Sequence, residues 1–239
     1  LKNPLKFKSF HFFLLFIASS SVVLLSDSDW LCLAIAGYPA IAVFPCLFFL
    51  CLMSKRGVDC DIVAPAALML GPVFSVLIGS IPLFFRPDMD MSVYFILAGG
   101  LIFGMISVLR GQECILTRRG GASWLPAAAL ITLLALLVII PLTRTMMMRL
   151  SHHGWFHTAV SFRIIGMGLP PEDPLFPGAG AHNYWFYHAW GAILAWAFNR
   201  PPPDMFALVN VASFVGTLLG VWLIARQFFA ENTHRIKTL

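Results

Sequence analysis

The run from Ile62 to Phe85 reads IVAPAALMLGPVFSVLIGSIPLFF and carries no charged side chain. It exceeds the ~20 residues that a helix needs to cross the hydrocarbon core of a bilayer. Working outward, similar runs cover about Ser9–Ser26, Trp30–Met53, Ser92–Leu109, Trp124–Leu142, His182–Phe198 and Asp204–Ala225. Hydrophobic residues make up 59% of the 239-residue chain and charged residues only 11%, against roughly 25% charged in a soluble domain. The sequence therefore predicts an all-α, polytopic transmembrane helix bundle of about seven spans. Residues 1–123 supply the first four. Residues 124–239 supply the fifth span, a long outer loop at 143–181 and spans six and seven.

Breakers inside the runs fit this class. Pro39, Pro45, Pro65, Pro72 and Pro82 would ruin isolated helices, but neighbouring helices can re-satisfy the freed backbone. Pro39 or Pro45 should kink the second span. Gly100 and Gly104, spaced as GxxxG within AGGLIFG, predict a close packing seam.

The net charge of +5 is scattered over short loops, which argues against a nucleic-acid footprint and for the positive-inside rule. Three basic residues lie in the N-terminal segment (Lys2, Lys6, Lys8), two in 54–61 (Lys55, Arg56) and three in 110–123 (Arg110, Arg118, Arg119). The alternating turns hold none in 26–29 and one in 86–91, Arg86. The basic set is thus expected in the cytoplasm, and residues 143–181 outside it. Arg226, Arg235 and Lys237 then fall on the outer side, against the rule. The five cysteines show no CxxC pair, so neither a disulfide nor a zinc framework is expected. The chain starts at Leu1, not Met, and is expected to be a piece of a longer protein. Its first apolar run reads as a first span or as a signal peptide.

One stretch differs in kind. Residues 151–190 read SHHGWFHTAVSFRIIGMGLPPEDPLFPGAGAHNYWFYHAW and hold five of the seven histidines and two of the four tyrosines. Ionisable groups are costly beside lipid, so such a cluster marks a functional site by default. Residues 151–166 predict an amphipathic interfacial helix, with His153, His157 and Ser161 on one face and Trp155, Phe156, Ala159 and Phe162 as apolar contacts. Four prolines make PPEDPLFPG a stiff loop able to hold Glu172 and Asp173 in place. Tyr184, Tyr187, His188 and Gly191 recur along one helical face after it.

Blander readings exist for each part. The aromatics alone make an interfacial belt. His153 and His157 match half of a helical zinc site, but no glutamate stands between them as in HExxH. No residue is assigned as a metal ligand, and a divalent metal stays open as a cofactor. Bis-histidine haem wants histidines deep in separate spans, which this pattern lacks.

The order His153-Gly-Trp-Phe-His157, Gly168-Leu-Pro-Pro-Glu-Asp-Pro174, Pro177-Gly178 and Tyr184-Trp-Phe-Tyr-His188 resembles the GT-C superfamily of multi-spanning glycosyltransferases. It looks closest to the branch with a tyrosine-rich motif after the first outer loop. The resemblance covers about Arg149–Ala192. It implies transfer of a sugar from a polyprenyl-phosphate donor to an acceptor outside the cytoplasm, with an acid of the outer loop as general base. Where such proteins commonly carry an aspartate four residues before the histidine, this chain has His153. The acid role would pass to Glu172 or Asp173, with Asp173 favoured because it directly precedes Pro174. His157 would orient the acid, with His153 or His157 next in line as base. Arg149 or Arg163 would hold the leaving phosphate, while Tyr184, Tyr187 and His188 line the pocket. Partners implied are membrane lipids and the polyprenyl-phosphate sugar, and the location implied is the plasma membrane. A transporter or channel subunit, with the cluster as a vestibule, is the alternative from another class, and a structural or interaction protein the third.

Overall fold

The computed structural model describes residues 5–25, 36–54, 58–116, 133, 152–176, 178–180 and 185–237. These form an all-α bundle with one small sheet at one end. Strand β1 (Leu5–Lys8) leads into α1 (Ser9–Leu25), and a π-helical turn, Pro39–Val43, opens α2 (Phe44–Met53). Strand β2 (Val58–Asp59) precedes α3 (Cys60–Leu83); α4 (Met89–Leu109) is followed by β3 (Glu113–Leu116). Then come α5 (His152–Met167), α6 (Trp185–Ala197) and α7 (Pro202–Lys237). Among the described residues four stretches are long and apolar enough to cross a membrane: Ala36–Met53, Ile62–Leu83, Met89–Leu109 and Pro202–Ala225. The protein is an integral membrane protein with several spans. Helix α1 is apolar but shorter, at 17 residues.

Where the second span was expected to kink, it widens. The π turn between Pro39 and Pro45 turns carbonyls toward neighbours, as such bulges do. The Ser75 hydroxyl donates to the Ile41 carbonyl. Gly71 of α3 lies so close to the Ala42 carbonyl that any Cβ would overlap it. The GxxxG seam is also present, against α1: a Cβ on Gly100 would meet the Phe16 ring at 2.7 Å, and one on Gly104 the Phe13 ring at 2.6 Å. Asp88 caps α4 by accepting the Met91 amide at 3.1 Å, the ordinary use of an aspartate at a helix start.

Three segments expected as basic loops contain the sheet instead. The strand order is β1-β3-β2, with Leu5 opposite Leu116 in an antiparallel pair and Val58 opposite Cys114 in a parallel one. Lys6 meets Glu113 at 3.5 Å. The Ser9 amide and hydroxyl both donate to the Gln112 carbonyl, at 3.0 and 2.7 Å. The three basic segments therefore share one end of the bundle, as their charge required. The sheet also brings Cys60, the first residue of α3, beside Cys114, and the two are disulfide-bonded across 54 residues of sequence. The expectation of no disulfide is corrected: local spacing cannot reveal a pair that the sheet creates.

A second correction concerns the sixth span. Helix α6 has 13 residues, about 20 Å at the usual rise, well short of the ~30 Å hydrocarbon core. Both its ends meet the end of the bundle away from the sheet. Trp185 packs edge-on against Phe84 at the end of α3, Trp190 against Tyr38, and the Trp196 indole donates to Asp90 at the start of α4. Helix α6 thus caps the outer end of the bundle. It looks like a span in sequence because every residue from His188 to Ala195 is buried, and a helix buried all round is apolar all round.

That correction removes an anomaly. Helix α7 begins at the outer end, where Phe206 packs near Gly191, and Gly216 and Gly220 then pass Met69 in the middle of α3. It runs back toward the sheet end, so Arg226, Arg235 and Lys237 join the other basic residues and the positive-inside count becomes consistent. The expected fifth span and the domain boundary at 123/124 lie outside the described residues. Strand β3 and helix α5 stand at opposite ends of the bundle.

Candidate functional site

The outer end carries the histidine and acid stretch. Helix α5 forms where the pattern predicted it. Its residues at helical spacing, Val160, Ser161 and Ile164, are buried, and it packs on α6 and α7. Its opposite faces expose Trp155 at 58% and Phe162 at 51%. His157 and Ser161 turn into the protein and Trp155 and Phe162 outward, as expected of a helix at a lipid interface, whereas Phe156 packs inward, edge-on to His188.

Two clusters result. In the buried one, His157 Nδ1 and His188 Nε2 share a hydrogen bond of 2.7 Å, and His188 is 1% exposed. Only one of the two facing nitrogens can carry a hydrogen, so at least one ring is neutral. The Ser161 hydroxyl donates to the His188 carbonyl at 3.1 Å. Tyr187 stacks on Phe206 at 5.4 Å and donates its hydroxyl to Asn210 Oδ1 at 3.1 Å. Burial pushes the Tyr187 phenol above its ordinary value, so it remains a donor through neutral pH. Phe206 and Asn210 stand four apart on one face of α7. Asn210 stands out in sequence as an amide inside an apolar run, a residue type able to bond between helices; Phe206 does not, because a phenylalanine in an apolar span carries no local signal. Trp190 Nε1 and the Tyr38 hydroxyl are buried nearby with no hydrogen-bond partner among the described residues.

The second cluster is the acid loop. Gly168, at φ +79°, ends α5 in the left-handed region that glycine alone adopts cheaply. The Leu169 amide then donates to the Leu83 carbonyl at 2.9 Å, docking the loop on the end of α3. Glu172 bridges to Gly180, and the Asp173 amide donates to the Ala179 carbonyl at 2.8 Å. Asp173 Oδ1 accepts the amides of Leu175 and Phe176 at 2.8 and 3.3 Å, closing an Asx-type turn. The Glu172 carboxylate lies 3.9 Å from the Arg163 guanidinium, both about one-third exposed.

The expected site is therefore brought together in part. His157, His188 and Tyr187 converge, as do Glu172 and Arg163. His157 meets His188. Asp173 serves its own turn, which weakens its preference as the base. His153 lies in α5, but its side chain is not among those described, and Arg149 and Tyr184 lie outside the described residues. No three His, Cys, Asp or Glu side chains gather as a metal site among the described residues. Comparison of the chain with protein-family models, with curated proteins and with solved structures finds no match.

Proposed function

We propose that the chain belongs to a GT-C-type glycosyltransferase of the plasma membrane, moving a sugar from a polyprenyl-phosphate donor to an acceptor hydroxyl or amide on the non-cytoplasmic face. The observation that supports this reading best is the Glu172–Arg163 pair, between a proline-stiffened loop and α5 at the end of the bundle away from the sheet. Transfer from a lipid phosphate needs a carboxylate and a cation side by side. Glu172 takes the proton from the acceptor as its oxygen or nitrogen bonds to the anomeric carbon. The bond from that carbon to the phosphate oxygen breaks, and the polyprenyl phosphate leaves with its charge on Arg163. An exposed pair at 3.9 Å is worth little to stability, so exchanging Glu172 for a phosphate on Arg163 costs little. His157 and His188 tie α5 to α6 and thereby fix where Arg163 stands. The exposed Trp155, Phe162, Leu175 and Phe176 would set the loop at the level of lipid head groups.

The test is release of free polyprenyl phosphate by the purified chain, given a polyprenyl-phosphate hexose and acceptor in detergent. Glu172→Gln should lower turnover by about 10²-fold or more with donor binding kept. Asp173→Asn should be mild, because the amide oxygen still accepts from Leu175 and Phe176. Near-normal turnover in both variants would remove the base from this loop. Solute flux into sealed vesicles without donor consumption would replace the enzyme by a transporter.

A further inference from the structure

We propose that a groove between α5 and the α6–α7 turn seats an anionic phospholipid of the surrounding bilayer, with its phosphate on Arg200. The groove has a volume of about 460 Å³, within the ~300–1,000 Å³ typical of small-molecule sites. Phe162 and Ile165 of α5 form one wall, Ala195 and Trp196 of α6 the other, and Asn199 and Arg200 the polar end.

The polar end is built by the local sequence. Asn199 adopts φ +49°, a left-handed conformation that asparagine tolerates better than most residues. The Arg200 amide donates to the Ala195 carbonyl at 2.8 Å and the Asn199 amide to the Trp196 carbonyl at 3.0 Å. These are the paired bonds of a Schellman cap, and they fix the backbone that presents Arg200. Trp196 is locked by its 2.7 Å bond to Asp90, so that wall is rigid. Pro201, Pro202 and Pro203 bring no amide hydrogen to the start of α7. A ligand's negative charge there must be met by side chains, and Arg200 is the cation of the lining.

Phospholipid is the occupant that fits this placement. The groove lies at the outer end of the bundle, beside an exposed tryptophan, where an arginine with apolar neighbours faces the head-group layer. Head group and first methylenes fit the volume, and the tails continue over the exposed apolar surface of α5. The sugar-lipid donor is disfavoured by orientation. At 100° per residue, Phe162 stands roughly 140° around α5 from His157, and Arg163 with Glu172 faces a third direction. The proposal is thus independent of the glycosyltransferase reading.

The test uses the purified full chain, stripped of lipid in detergent and titrated with phosphatidylglycerol or phosphatidylcholine. Binding is followed by native mass spectrometry and by quenching of tryptophan fluorescence with brominated acyl chains. Phosphatidylglycerol should bind roughly five- to tenfold more tightly than phosphatidylcholine. Arg200→Gln should erase that preference, whereas Arg86→Gln, an exposed arginine at the same end, should keep it. Phe162→Ser, at a half-exposed position that folding tolerates, should weaken both lipids alike. Trp196→Phe should remove most of the quenching. Equal binding of the two lipids, or a preference that survives Arg200→Gln, overturns the proposal. So does displacement by equimolar polyprenyl phosphate, which would make the groove a donor seat, or by millimolar inorganic phosphate, which would make it an anion site without lipid.

Discussion

Gly166 and Gly168 are two residues apart, and the same substitution at each should have opposite effects. At Gly168 the backbone has φ +79°, and an added Cβ would lie 2.5 Å from the Leu83 carbonyl oxygen. Left-handed backbone costs a non-glycine residue roughly 1–2 kcal/mol. The clash is with backbone, which cannot rotate aside, so the 2.9 Å bond from the Leu169 amide to Leu83 must also lengthen or break. A hydrogen bond of that kind contributes about 0.5–1.5 kcal/mol. Gly168→Ala should therefore destabilise by about 2–3 kcal/mol. Gly166 lies inside α5 with nothing within 4 Å of an added Cβ, so Gly166→Ala should stabilise by a few tenths of a kcal/mol, limited by its place in the last helical turn.

Thermal unfolding in detergent, followed by circular dichroism, reads the difference. A loss of 2–3 kcal/mol in a chain of this size lowers Tm by about 5–10 °C, while Gly166→Ala should leave it level or slightly higher. Because Gly168 sets the entry to the acid loop, turnover should fall in Gly168→Ala even at temperatures where the chain remains folded. Equal Tm for the two variants would mean that the loop is not docked on Leu83, and the geometry of Glu172 and Arg163 argued from it would fail.

Two further outcomes follow from the fold. In a background lacking all five native cysteines, a cysteine at Ala179 should react with an impermeant reagent in intact cells. Cysteines at Arg110 and Asn232 should react only after permeabilisation; labelling of Asn232 in intact cells would restore α6 as a crossing helix. Raising the phenol's folded-state value makes Tyr187 stabilising below its ordinary range near pH 10, and that contribution is lost as the pH climbs through the raised value. Tyr187→Phe should cost about 0.5–1.5 kcal/mol through the lost bond to Asn210 and flatten the alkaline fall in stability that sets in near the ordinary phenol value of about 10; an unchanged alkaline slope would refute that assignment.

The bundle was legible because apolar run length reports directly on crossing, and α3 and α4 fall within two or three residues of the runs that predict them. The α5 pattern and the acid loop were legible for a different reason: charged and proline-rich segments cannot be hidden in lipid, so they stand out. What sequence concealed were contacts between distant segments. Strands of two to four residues are too short to display alternation. Helix α6 was mistaken for a span because burial in protein and burial in lipid select the same residues. In the site, the sequence grouped side chains that do converge, but the 2.7 Å bond between His157 and His188 was not visible in it, because helix packing makes that pair.

Two features of the sheet end pull in opposite directions on which face of the membrane it occupies. Its basic residues place it in the cytoplasm, yet the Cys60–Cys114 bond belongs to an oxidising compartment. The charge argument carries more weight, for a physical reason. Lysines and arginines act while the chain inserts and rest on many residues in several segments, now including the end of α7. The disulfide rests on one proximity: β2 pairs with β3 so that the two Cα atoms stand 5.2 Å apart. The fold dictates that distance on either side of the membrane, whereas the redox state of the two sulfurs follows the compartment. If that side is a reducing one, the bond would open there to two neighbouring thiols held by the same fold. On the charge argument the acid loop, and with it Glu172, would face away from the cytoplasm, and the redox state of the cysteine pair in cells then tests that orientation: free thiols at Cys60 and Cys114 support it, and an intact bond in cells would overturn it.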